Sequence, residues 1–412
     1  MKRILWIGWF FAMVFTSCKT SPERTEKTLG EYNFVVGTQT IAAGSQYKFT
    51  EKPVLIETAE RILAMGSNIL KISLNPAWQE NAYDQETPES FRQASPLTLA
   101  SQEATMKALL EMDFTYHLLW VTTPGVDWTD GMSEEESDME YQSIRELVEY
   151  FKTHFRGTGK KFYIGHWEGD WLLLGSFDDT QERIDPARIQ GMIDWYNIRQ
   201  KAVDDAVNAV VSDVEVFQYL ELNRVIPAMK NGFDRIVNRV LPYADVDYVS
   251  YSSWESTIEA LSERGYAYQE MKDTLFHVLD CIEKNMKVKD RIKGKRVFIG
   301  EYGFPQDGGY YPEKQAYCSL NVMKAGIEWG CPFILYWEIY DNEGRGYWMI
   351  DKNNVEQPVY KAHRAFCEEM KAYVRSSIES EQHVPDVVEF RDRAVRVISE
   401  LQNDVKTAGI ED

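Results

Sequence analysis

Eight times along this chain an apolar run of strand length gives way to an amphipathic stretch of helix length, and that alternation restricts the fold more than any other feature. Strands that alternate with helices pair in parallel, because each crossover returns the chain to the same end of the sheet. Strands are predicted at residues 32–37, 69–74, 114–121, 162–167, 214–220, 248–251, 297–300 and 333–337. Helices are predicted between and after them at 58–65, 99–112, 134–155, 185–211, 229–240, 267–286, 312–329 and 359–373. Asp185-Pro186 supplies a cap and a first-turn proline. Gly66-Ser67-Asn68 supplies a stop. Eight strand–helix units imply an α/β protein, a single-domain (β/α)₈ TIM barrel with a C-terminal helical extension. The competing open, doubly wound sheet advertises a glycine-rich phosphate loop after its first strand. Gly37-Thr38-Gln39-Thr40 is no such loop.

The chain divides into residues 1–17, 18–29, 30–380 and 381–412. Lys2 and Arg3 precede an apolar stretch from Ile4 to Phe15, too short for an ordinary membrane span, and Thr16-Ser17 lead into Cys18. This start reads as a bacterial lipoprotein signal peptide (1–17), with Cys18 as the lipidated residue and 18–29 as a polar tether. The expected location is the bacterial cell envelope, with a membrane partner through the lipid anchor. An ordinary secretory signal with an incidental Cys18 is the other reading. Removing residues 1–17 takes away two positive charges, so the formal charge of −20 becomes −22. Such a surface argues against nucleic acid, which needs a basic stripe to displace counterions. Cys281, Cys318, Cys331 and Cys367 have no close metal-type spacing, so no metal or cofactor is assigned, and buried free thiols are expected. An acidic amphipathic helix over 384–405 would pack on the barrel exterior or serve a partner.

In a parallel barrel the catalytic groups stand at the C-terminal ends of strands, where loops form the mouth. Two predicted strands run directly into carboxylates: Phe162-Tyr163-Ile164-Gly165-His166-Trp167-Glu168 and Val297-Phe298-Ile299-Gly300-Glu301. Glycosidic cleavage needs such a pair, one acid and one nucleophile or base. Tryptophans 120, 128, 167, 171, 254 and 337 all fall at or just past predicted strand ends. Aromatic faces among a few polar groups suit the apolar faces of sugar rings. No Gly-x-Ser-x-Gly elbow is present, and none of the six histidines adjoins a credible nucleophile.

The strand-four Glu168, the strand-seven Glu301 and the aromatic end of strand eight, Tyr336-Trp337-Glu338, resemble the clan A glycoside hydrolases. That resemblance implies Glu168 as acid/base, Glu301 as nucleophile, and Trp337 as the floor of the subsite for the cleaved sugar. It implies an oligo- or polysaccharide substrate. One position departs from the pattern: the clan usually has Asn before the acid/base, and here Trp167 stands there, preceded by His166. Asp170 is therefore an alternative acid, and a glycan-binding envelope lipoprotein on a lapsed glycosidase barrel is an alternative function. Further candidates for contacting substrate are Asn75, Trp120, His166, Trp167, Asp170, Glu221, Asn223, Tyr251, Trp254 and Trp337. Tyr251 is expected either to hold the nucleophile ionised or to be an ordinary buried tyrosine. Glu221 fits a sugar hydroxyl or a structural salt bridge, and His166 a sugar contact or a packed histidine.

Overall fold

The computed structural model describes residues 22–41, 45–75, 91–258 and 268–407. The signal and lipidation readings at residues 1–18 lie outside the described residues. Eight parallel strands close into a barrel in sequence order: β1 Val36–Gln39, β2 Ile69–Leu74, β3 Tyr116–Val121, β4 Lys161–Gly165, β5 Glu215–Leu222, β6 Tyr248–Ser252, β7 Val297–Tyr302 and β8 Ile334–Tyr336. β1 pairs with β8 through Val36 and Ile334, which completes the ring. The predicted barrel is therefore present, with each strand within a few residues of its expected place.

Side chains alternate across the barrel wall with period two. Leu70, Ile72, Leu119, Val121, Val249 and Tyr251 face the outer layer, where the helices cover them. Ile69, Tyr116, Leu118, Tyr163, Tyr219, Phe298, Phe333 and Leu335 fill the interior. The lower interior is aromatic, with Phe333 meeting Tyr163 and Phe298 edge-on. Above it, at the C-terminal ends, the inward positions turn polar: Lys71, Ser73, Glu221, Ser250 and Ser252 are all fully or almost fully buried. Gly165 makes room for this layer, because a Cβ there would sit 2.2 Å from the Tyr219 ring.

The helices depart from expectation in several places. The stretch predicted as one helix over 99–112 is two, Pro96–Gln102 and Ala104–Glu111, because the Glu103 carboxylate accepts the Thr105 and Met106 N–H groups and starts a new helix. The one predicted over 229–240 is Val225–Asn231 and Ile236–Arg239, separated where Gly232 adopts a left-handed conformation. Residues 22–29, expected within a polar tether, lie in the helix Pro22–Glu31, which buries Thr25 and Leu29 and pairs Glu26 with Arg375. At the other end, Val387–Thr407 packs on the helices Pro312–Trp329 and Pro358–Ser376, with Gln402 donating to Asn321 at 2.6 Å. Among the described residues the four cysteines are free; Cys318, Cys331 and Cys367 are buried and Cys281 is half-buried.

Candidate active site

Glu301 reaches the barrel interior because β7 breaks its own alternation. Ile299 faces outward and lies opposite Ile334, yet Tyr302, three residues on, also faces outward and lies opposite Tyr336, two residues on. The extra residue is a bulge, a device that re-aims a side chain. Strict alternation would have turned Glu301 outward with Ile299. Gly300 permits the irregularity: a Cβ there would stand 1.8 Å from Ser250 Oγ.

Beneath Glu301 lies a lysine that the sequence reading missed. Lys71 Nζ donates to Glu221 Oε2 at 2.9 Å, to the Gly300 carbonyl at 3.1 Å and to Glu301 Oε1 at 3.2 Å. All three of its protons are thereby used. Its ammonium also lies 4.5 Å from the centre of the Trp120 ring. A sign was present in the sequence: within the apolar run of β2, Lys71 and Ser73 occupy alternate positions, which marks a polar inward face.

Glu168 is held differently. β4 ends at Gly165, and Glu168 stands three residues later, where a turn leads into the short helix Gly169–Leu174. Its backbone N–H donates to Glu221 Oε1 at 3.1 Å. Its carboxylate accepts Trp171 Nε1–H on Oε2 at 2.8 Å and Trp254 Nε1–H on Oε1 at 3.1 Å. The same Trp254 N–H lies 3.3 Å from Glu301 Oε2. One indole thus bridges the two carboxyl groups, and the oxygens it touches can be no more than about 6.4 Å apart, the sum of its two contacts.

Both carboxyls are almost wholly buried, Glu168 being 6% and Glu301 2% exposed. Burial raises the affinity of each for a proton, but their neighbours separate them. Glu168 is pushed well above the usual carboxylate range by burial and by the nearby Glu301 and Glu221. Burial also raises Glu301, but Lys71 opposes it and the value settles at about 7. Of the two, Glu168 therefore holds its proton the more tightly.

Several expected substrate contacts are instead part of the scaffold. His166 Nδ1–H donates to the Trp167 carbonyl at 2.8 Å, and Nε2 faces Tyr196 Oη at 2.5 Å. The backbone between His166 and Glu168 is not a regular strand, so the two side chains diverge. Burial lowers the His166 pKa to about 3 and keeps the ring neutral. Asp170 accepts N–H groups from Asn223, Arg224 and Ile236, which ties down the loop after β5 and leaves it no role as the acid. Glu221 is fully buried, bound by Lys71, Ser250 and the Glu168 N–H, and so is the structural pair rather than a sugar contact. Tyr251 faces outward by alternation, and its hydroxyl meets Glu255 and Ser256, not Glu301. Trp120, 3% exposed, packs beneath Lys71 inside the barrel.

The remaining candidates stand at or near the mouth. Trp254 touches both carboxyls, and Trp167 is half-buried against the interior cluster. Trp337 follows β8, joined to Glu338 by a cis peptide bond, and is 6% exposed. Asn223 is buried with its Oδ1 lacking a hydrogen-bond partner. Asn75, just past β2, donates to Thr122 Oγ1.

No family model matches the chain, and no curated protein matches it in sequence. Solved structures do match. A Bacteroidetes-affiliated GH5 cellulase linked with a polysaccharide utilization locus aligns at 14% identity over 92% of this chain and 93% of its own, with a TM-score of 0.45. A Bacteroides ovatus GH5 xyloglucanase, solved with a XXXG heptasaccharide, aligns at 12% identity over 92% of this chain and 76% of its own, with a TM-score of 0.44. An exo-β-1,4-mannosidase from Opitutaceae bacterium strain TAV5 aligns at 11% identity, with a TM-score of 0.51, over 82% of this chain and 60% of its own. At such identities the likeness is one of fold: this chain is a (β/α)₈ barrel, similar in architecture to barrels of glycoside hydrolases.

Proposed function

We propose that this protein is a glycoside hydrolase that cleaves O-glycosidic bonds with retention of anomeric configuration. The observation that carries the reading is Trp254 Nε1–H lying within reach of both Glu168 Oε1 and Glu301 Oε2. A donor shared by Glu168, just past β4, and Glu301 on β7 limits those two oxygens to about 6.4 Å, which favours the short separation of retaining pairs, roughly 5–5.5 Å, over the roughly 6.5–9.5 Å by which inverting pairs admit a water. Their unequal proton affinity fits the division of labour. Protonated Glu168 donates to the departing glycosidic oxygen while anionic Glu301 attacks the anomeric carbon, giving a glycosyl ester. Glu168, now a carboxylate, takes a proton from water as its oxygen displaces Glu301 and frees the sugar. Trp254 offers its N–H to both partners, and Lys71 balances the negative charge that Glu301 carries before attack and regains on release.

The departure at Trp167 supports a second reading, a barrel that binds glycans without cutting them. Incubating the protein with a panel of oligosaccharides and nitrophenyl glycosides separates the two. New reducing ends, with the first-formed product retaining the substrate's anomeric configuration by proton NMR, are expected. Glycan binding without release at any pH would establish the lapsed barrel instead. The N-terminal sequence adds the proposal of lipid anchoring at Cys18 in a bacterial envelope, which incorporation of labelled palmitate into the wild type but not Cys18→Ala would test.

A further inference from the structure

We infer that the end of the barrel opposite the carboxyl pair is a docking face for an anionic lipid surface, one that turns the mouth away from the membrane. The inference takes its tether from the anchoring proposed at Cys18; its electrostatics stand without it.

Position comes from the first described helix. Pro22–Glu31 lies at the closed end of the barrel, where the strands begin. The Gly30 carbonyl accepts from Asn68 and Thr115, just before β2 and β3, and the Glu31 carbonyl accepts from the Tyr116 hydroxyl. Glu26 pairs with Arg375, in the last turn of Pro358–Ser376, a helix that leaves the mouth after β8 and finishes at this end. The Lys27 charge reaches Asp213, just before β5. Cys18 precedes Pro22 by four residues, a span of at most roughly 14 Å even when fully extended. That is less than half the roughly 30 Å rise of the 21-residue helix Glu134–His154 beside the barrel. A lipid on Cys18 therefore holds the closed end, not the mouth, against the bilayer.

Charge comes from the loop before β7. Residues 287–296 hold six basic side chains and one acid, in a chain of net charge −20. Carboxylates nearby neutralise part of this: Lys289 pairs with Asp245 at 2.8 Å, and Arg291 pairs with Asp204 and Asp247. Lys287 and Lys293 are exposed, donate to the Tyr243 and Asp290 carbonyls, and form no ion pair among the described residues. The acidic remainder of the chain is repelled by an anionic surface, so attraction confined to this end fixes the orientation.

The same end leaves apolar side chains in water. Val211, Tyr243 and Val288 are 89%, 60% and 85% exposed, and they stand in the loops before β5, β6 and β7. Those strands are neighbours, so the three side chains share one side of the closed end with the basic loop. Beside them, Lys161, Arg291 and Lys293 line a cavity of about 270 Å³ together with Tyr163, Phe217 and Tyr248. Unpaired lysines among apolar and tyrosyl side chains suit a layer of lipid headgroups, where cations meet phosphate and tyrosine rests at the interface. A lipid and a basic patch on one face also reinforce each other as anchors. An acidic protein would satisfy the lysines but gives no reason for a tether that starts at the same end.

The test reconstitutes the full chain, as isolated from cells, with vesicles of phosphatidylcholine alone or with about 30% phosphatidylglycerol. Flotation reads binding, and mass spectrometry reads the rate of lysine acetylation. Lys287 and Lys293 are expected to label at least about threefold more slowly on the anionic vesicles than on the neutral ones, and about 1 M salt should abolish the difference. Lys52 and Lys230, exposed in the segments after β1 and β5 at the mouth end, are the controls and should label alike on both. Equal labelling of all four lysines on both vesicles overturns the docking face, as does protection of Lys52 and Lys230 instead. Equal labelling in a chain that floats and carries palmitate removes the face and keeps the anchor. Protection of Lys287 and Lys293 in a chain without palmitate keeps the face and removes the anchor. Reducing-end release, measured separately, decides the hydrolase reading whichever result is found.

Discussion

The ends of β4 and β7 present the same residue type to the same space by opposite means. β7 carries Glu301 within the strand, re-aims it by a bulge and sets it on the buried Lys71. β4 stops early and suspends Glu168 in a turn, held by two indole N–H groups and by its own backbone on Glu221. One carboxyl has a cation in contact and the other has only neutral donors. That difference, at equal burial, separates a group poised to ionise from one that keeps its proton. Identity of side chain therefore says little about role here; the second layer of Lys71, Glu221 and the tryptophans decides it.

The sharpest way to break the comparison is to delete each carboxyl. Glu301→Ala is expected to lower kcat by at least roughly 10⁴-fold, as loss of a covalent nucleophile does elsewhere. Added azide should then enter from the vacated side and give a glycosyl azide of inverted configuration. Glu168→Ala should give the retained azide, because the nucleophile survives and azide meets the covalent intermediate. The same configuration from both variants would show that the roles are misassigned. Glu168→Gln is expected to cost about 10²–10⁴-fold on substrates with poor leaving groups. The loss should shrink for dinitrophenyl glycosides, whose leaving group needs no proton; an equal loss on both would deny Glu168 the acid role.

Lys71→Met removes the cation that distinguishes the two sites. The nucleophile must be ionised, so activity should fall as pH drops through the Glu301 value of about 7. Without Lys71 that limb should move to higher pH, measured as kcat/KM across a buffer series. A limb that stays in place would mean that Lys71 does not set it. Leaving Glu221 and Glu301 uncompensated should also cost about 3–5 kcal/mol of stability at neutral pH, readable by denaturant unfolding.

The barrel was legible because eight apolar runs at strand spacing admit few arrangements, and parallel pairing follows from the helices between them. The carboxyl pair was legible for the same reason, since both residues follow apolar runs. What decides their chemistry was not. Lys71 shows in the sequence as an inward polar position of β2, but its acceptors, Glu221, Glu301 and the Gly300 carbonyl, lie on β5 and β7 and meet it only when the barrel closes. The β7 bulge leaves no mark beyond Gly300, so Glu301 points inward for a reason that alternation denies. Tyr251 fails for the converse reason: β6 keeps its alternation there and turns the hydroxyl outward, and Trp254 from the following turn donates to Glu301 instead. The break at Glu103 carries neither glycine nor proline, because a carboxylate cap ends one helix and starts the next.

The smallest effect tests whether the proton on Glu168 belongs to the fold as well as to the reaction. A carboxyl whose pKa rises on folding contributes its full stability below the unfolded value, about 4.3, and loses it as pH climbs through the folded value. Burial raises Glu168 well above that reference. Wild type should therefore lose stability with rising pH on this account, whereas Glu168→Gln, unable to ionise, should not. Glutamine has one acceptor oxygen for the two indole donors that Glu168 serves, so the variant also carries a fixed penalty of about 1 kcal/mol. That penalty does not vary with pH. The informative quantity is thus the difference in Tm between variant and wild type, followed from pH 5 to pH 9. It should move in the variant's favour by about 1–3 °C as pH rises, the scale expected for a chain of this length. A difference that stays flat would mean that Glu168 titrates at an ordinary value, and with it would go the separation between the ends of β4 and β7.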